Sequence, residues 1–149
     1  MWGKIFLTID CILLLVGAPI ADYVGPTHMH NPNWPPHAKF HNGQTINLSI
    51  LLGLTTLFYT YRRAANPTLK REFMLVTALT SSYYWIAGLA SAAYPMTTGL
   101  DPEFGGPGYP QAPLFVFAAA CGLVGSAIDG FKAGDGEGEG KGEGRVKGS

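Results

Sequence analysis

The stretch that decides the fold is residues 27–44, THMHNPNWPPHAKFHNGQ. It holds all four histidines of the chain, His28, His30, His37 and His41, and three of its eleven prolines, Pro32, Pro35 and Pro36. An apolar run lies on either side, Ile5 to Ala21 upstream and Thr45 to Tyr61 downstream. Each has the length of a helix that crosses a bilayer core, about 17–25 residues. A polar, proline-stiffened connector between two such runs reads as the turn of a helical hairpin at one membrane face. Pro35-Pro36 suits a first helical turn, where a missing N–H costs nothing. The second helix is therefore predicted to start near Pro36 and to carry His37 and His41 inward.

Two further runs follow. Phe73 to Tyr94 ends at Pro95, and Leu114 to Ile128, lengthened by Ala112, ends at Asp129. The expected fold class is all-α, a four-helix transmembrane bundle over residues 1–129 with spans near 5–21, 45–61, 73–94 and 112–128. Residues 130–149 are expected to be a disordered, glycine-rich charged tail, too poor in apolar surface to fold. The first run also imitates a signal peptide, but Asp10 interrupts its apolar centre and Pro19 crowds the cleavage sites, which favours a retained anchor.

Composition agrees. The chain is 47% apolar and 13% charged, about half the usual charged fraction. The last twenty residues alone hold four of the ten acids and four of the ten bases. Net charge is zero, so no nucleic-acid partner is implied. Cys11 and Cys121 sit inside apolar runs and read as small buried hydrophobes. The sequon Asn47-Leu48-Ser49 lies within the second run, where no sugar is expected. Between the second and third runs, RRAANPTLKR (residues 62–71) carries four bases. With four spans, Lys4, Arg62, Arg63, Lys70, Arg71 and Lys132 share one side and only Lys39 lies opposite. The positive-inside rule then makes this a multi-pass protein with cytosolic termini; were the source eukaryotic, the endoplasmic reticulum is the expected membrane. The histidine stretch and the Gly/Pro-rich loop bearing Asp101 and Glu103 would share the other face.

His37 and His41 are four residues apart, which stacks both rings on one helical face, continued by Gln44. Such a pair can do acid–base work near neutral pH, with Asp22 to orient or charge a ring and His28 close by in sequence. The candidate catalytic residues are accordingly His37, His41, Asp22 and His28. The same spacing allows a divalent transition metal, with ligands drawn from His28, His30, His37, His41, Asp22, Asp101 and Glu103. It is not HExxH, because Ala38 stands where the glutamate would be. The acid–base reading needs no cofactor. The plain alternative is that these histidines sit at headgroup level, bonded to loops and water. Asp10, an acid inside a span, needs a partner such as Thr8 or a hydroxyl on the third helix. Tyr83, Tyr84 and Trp85 either pack or line a pocket and offer a phenol donor.

At His28, Asn31-Pro32, Trp34-Pro35-Pro36-His37-Ala38-Lys39 and His41, with Ala21-Asp22 before them, the chain resembles a mostly uncharacterised family of small four-helix membrane proteins from fungi and bacteria. The resemblance implies a fold and a membrane location. Size and hydropathy are also similar to small membrane tailoring enzymes of fungal metabolite pathways, assigned as epoxide hydrolases, cyclases or oxygenases. The four-helix sterol isomerases are comparable in size, but their acidic and histidine signature is absent here. The expected function is a membrane tailoring enzyme acting on a lipophilic, polyketide- or terpenoid-like molecule by His/carboxylate chemistry, whether epoxide opening, cyclisation or isomerisation. The alternatives are a metal-dependent membrane enzyme and a non-catalytic accessory subunit. Expected partners are the bilayer, the lipophilic substrate, and a second copy or a larger membrane enzyme.

Overall fold

The computed structural model describes residues 2–139. Every regular element among them is helical: α1 (Trp2–Ile12), α2 (Pro36–Tyr61), α3 (Pro67–Ala90) and α4 (Ala112–Glu139), with short 3-10 turns at Ser91–Ala93 and Pro102–Phe104. Two π-helical segments, Leu13–Gly17 and Ile20–Val24, carry α1 onward. Pro19, between them, has no N–H to give the preceding turn. The Ala18 N–H reaches back five residues to the Leu13 carbonyl, the wider spacing of a π turn.

Helix starts follow local chemistry. Pro36 occupies the first position of α2 after an extended Pro35 (φ −66°, ψ 156°), as the Pro35-Pro36 pair predicts. At α3 the Asn66 side chain accepts from the Leu69 N–H at 2.8 Å, with Pro67 next. α4 runs to Glu139, ten residues past Asp129 and into the segment expected to be unstructured. A helix already nucleated extends at one hydrogen bond per residue fixed, and this one does. The remainder of the expected tail, residues 140–149, lies outside the described residues.

The packing is polar inside and apolar outside. Thr56, Thr60, Thr77, Ser49, Ser81 and Asp10 are fully buried. Ile12, Val16, Leu51, Leu54, Leu75, Val116, Phe117 and Val124 are exposed. The buried hydroxyls bond their own helix, as in Thr77 to Phe73 O (2.7 Å) and Thr60 to Thr56 O (2.7 Å). Thr56 and Thr80 also meet across α2 and α3 at 2.8 Å. Small residues let backbones approach: a Cβ on Gly122 of α4 would overlap the Ser81 side chain of α3. Leu14, Trp85, Ala118 and Ala119 form one apolar cluster, and Leu7, Phe73 and Met74 another.

Three helices are long and apolar enough to cross a membrane: Trp2–Val24, Pro67–Ala93 and Ala112–Phe131. The expected second span, 45–61, falls in α2, which is long enough at 26 residues but is diluted by Asn47, Ser49, Thr55, Thr56 and Thr60. The two ends of the bundle differ. Lys4 Nζ lies 5.4 Å from the Tyr61 ring, and Arg62 stacks over Phe58 and Phe73, so the basic residues gather at one end. The connectors 25–35 and 91–111 meet at the other.

Candidate functional site

The junction of the two connectors is built on Asn31, which is fully buried. Successive turns fold the chain around it: Asn31 N–H to His28 O at 2.9 Å and Trp34 N–H to Asn31 O at 3.3 Å. Its side-chain oxygen accepts from the Asn33 N–H at 2.8 Å, a local Asx turn. Its amide nitrogen is thereby left to cross to the other connector. There it donates to Asp101 Oδ2 (3.4 Å) and Glu103 Oε1 (3.2 Å). Asn33 Nδ2 adds a bond to Glu103 (3.2 Å), and Trp34 Nε1 a bond to Asp101 Oδ2 (2.8 Å). The two acids are presented by the 3-10 turn at Pro102–Phe104, which Gly105 closes at φ 98°, a left-handed conformation that suits glycine. The amides of Asn33 and Asn31 beside Glu103 hold its carboxyl below the usual range.

Beneath this junction lies Asp22. Its side chain is 17% exposed and that of His28 33%, and His28 Nδ1 stands 4.0 Å from Asp22 Oδ1. That separation is too long for a hydrogen bond and becomes an ion pair only when the ring is protonated. The Tyr84 hydroxyl of α3 donates to Asp22 Oδ2 at 3.3 Å. Asp22 sits where the first helix ends, so its carbonyl is released to the Asn42 side chain (3.0 Å) and the Met29 N–H (3.2 Å). Thr27 Oγ1 lies 2.8 Å from His28 Nδ1, and Trp34 packs edge-on against the imidazole with centroids 5.1 Å apart. A carboxylate, an imidazole and a phenol are thus brought together from three separated positions of the chain.

The structure divides the expected constellation. Asp22 and His28 come together. His37 and His41 do not join them, and both are exposed on the first turns of α2. They pair instead with each other, Nε2 to Nε2 at 3.0 Å, with rings at 80°. His41 Nδ1 lies 3.3 Å from Gln44 Oε1. His30 is exposed and packs edge-on against Tyr23. Among the described residues no three histidine, cysteine or acidic side chains converge on one point, so the expected ligand set of His28, His30, His37, His41, Asp22, Asp101 and Glu103 is not assembled. Asp101 and Glu103 bind amides and an indole.

Asp10 lies apart from this group. It accepts from Trp85 Nε1 at 2.7 Å, and its other oxygen is buried without a partner. Its partner is on the third helix, as expected, but is an indole rather than a hydroxyl. A groove of about 580 Å³ lies on the outer face of α2 between Phe40, Gly43, Gln44, Asn47 and Leu51, and does not touch Asp22. The reactive groups are not lodged in that groove. Sequence reasoning missed the roles of Asn31 and Asn42, whose signal was only that asparagine is expensive to bury unless bonded.

Three helices long and apolar enough to cross a membrane, packed around buried hydroxyls, make this an all-helical chain consistent with a membrane location. The chain belongs to a family of unknown function, DUF6640, whose sequence profile matches residues 6–133. No curated protein and no solved structure matches it.

Proposed function

We propose that the protein is a four-span membrane enzyme that performs acid–base chemistry on a lipophilic small molecule at Asp22, His28 and Tyr84. The observation that carries this is the placement of Asp22 within 4.0 Å of His28, with the Tyr84 hydroxyl on its other oxygen. The imidazole gives a proton and the carboxylate takes one, on a substrate that approaches the pair from its exposed side. Tyr84 fixes the carboxylate and shares its charge. Isomerisation, cyclisation and epoxide opening each need such a donor and acceptor together. The site lies where the first helix emerges, within reach of a molecule dissolved in the bilayer. The retained first helix is required, because it supplies Asp22.

Contacts at both ends support four spans. Asn31 touches Glu103, so the number of crossings between them is even. Since α3 is one crossing, α2 is the other. The same count applies between Lys4 and Tyr61, with α1 and α2 as the crossings. Three of the polar residues of α2 that lower its hydropathy, Ser49, Thr56 and Thr60, face inward, while Leu48, Leu51, Leu54 and Phe58 face out. The basic end is then cytosolic and the Asp22 end lumenal.

The test is metabolite profiling of a strain lacking the gene, complemented with variants. Asp22→Asn and His28→Asn are each expected to lower the missing product by about 100-fold or more, at unchanged protein level in membranes. His37→Ala and His41→Ala should support near-normal product. Full product from Asp22→Asn and His28→Asn, or an unaltered profile in the deletion strain, ends the proposal.

A further inference from the structure

We infer that His37 and His41 form a second site, separate from Asp22, which binds a divalent transition metal ion through the two Nε2 atoms. The Nε2–Nε2 distance is 3.0 Å. With metal–nitrogen bonds of about 2.0–2.1 Å, two cis ligands at a right angle are about 2.9 Å apart, and two tetrahedral ligands about 3.3 Å apart. The observed spacing therefore matches adjacent positions of a square-planar or octahedral ion once both rings turn to aim their lone pairs at it. Copper(II) and nickel(II) prefer that arrangement, and zinc(II) is within reach of a small ring rotation.

A second contact sets the chemistry of one ring. Gln44 Oε1 lies 3.3 Å from His41 Nδ1, and an amide oxygen can only accept. With the Gln44 amide in this orientation, His41 Nδ1 carries the proton and its Nε2 presents a lone pair toward His37. This is the outer partner that a metal-bound histidine characteristically has. With no ion, His37 donates its Nε2 proton to that lone pair. Ion entry also requires that His37 move this proton to its own Nδ1, so binding itself need release none. Both rings are exposed at the start of α2, where the helix holds their spacing and water reaches the ion. Among the described residues no third ligand of the usual types converges on the pair. Water completes the coordination, and the ion is exchangeable rather than structural.

The experiment uses the full chain in detergent, without a polyhistidine tag, titrated with copper(II) or zinc(II) sulfate against a competing chromophoric chelator. One ion per chain is expected. His37→Ala and His41→Ala should each weaken binding by more than about tenfold, and Gln44→Leu by about tenfold through its effect on His41. His28→Asn should leave affinity unchanged, which separates this site from the proposed acid–base group. Copper(II) electron paramagnetic resonance should show two equivalent nitrogens in the wild type and one in either alanine variant. Equal affinity in the wild type and both alanine variants overturns the inference. So does loss of binding in His28→Asn alone. Circular dichroism of the variants confirms that α2 is retained, since neither ring is part of the packed interior.

Discussion

Tyr84 and Trp85 are neighbours in α3, yet they bond acids twelve positions apart on the first helix. Their long side chains reach opposite ways along the bundle, the phenol toward Asp22 at the connector end and the indole toward Asp10 in the middle. On an unbroken α-helix, residues twelve apart point about 120° away from each other. The π turns between them hold more residues per turn and change that angle, so both acids meet α3. The Trp85–Asp10 bond ties an acid in the middle of the first helix to α3, far from either end of the bundle. Trp85→Phe keeps an aromatic ring but removes the donor and part of the buried indole, leaving a small void and a buried carboxyl group with no partner. The expected loss is about 2–3 kcal/mol, the range for a hydrogen bond to a charged or strongly polar group. Asp10→Leu in the same background should recover part of it, because the unsatisfied acceptor goes too. Thermal unfolding of the two variants in one detergent checks this; equal stability of Trp85→Phe and wild type would show that the bond contributes nothing.

At the scale of elements, the connectors are clasped by side chains rather than by backbone pairing. Asn31, Asn33 and Trp34 all donate to Asp101 or Glu103. Such a clasp depends on its acceptors staying ionised. Glu103 has a folded value held below its ordinary 4.5 by the amides of Asn33 and Asn31. The group therefore contributes stability that is present above the unfolded value and lost as pH falls through the lower folded value. The clasp should loosen only below about pH 4.5, read as a change in Trp34 emission or faster proteolysis of the connectors. Asn31→Ala should produce the same loosening at neutral pH, and an unchanged cleavage rate there would refute the clasp. These contacts were only half legible in the sequence. Pro35-Pro36 announced the start of α2, and the shared face of the two loops followed from counting spans. Which residues tie them did not follow, because Asn31 and Glu103 are far apart in the chain and nothing local marks an amide that will be buried.

Over the whole molecule, the apolar runs placed the helices well because length and hydropathy are local properties. The site was harder. His37 and His41 drew attention by their spacing, but spacing within one helix says nothing about which acid lies nearby. Asp22 found His28, only six positions along, because the helix end and two tight turns fold the chain back on itself. Hydropathy alone does not pick out α2 as a span, although Ser49, Thr56 and Thr60, which lower it, are buried. Topology decides this last point. Native Cys11 and Cys121 are buried, so single cysteines can be placed at exposed Pro32, Ala65 and Met96 and probed with a membrane-impermeant maleimide. If α2 crosses, Pro32→Cys and Met96→Cys react from the same side and Ala65→Cys from the other. If α2 lies on the surface, Pro32→Cys and Ala65→Cys react together and Met96→Cys apart. The second pattern would carry His28 and Glu103 to opposite faces of the membrane, and the contact between Asn31 and Glu103 could not exist in the bilayer.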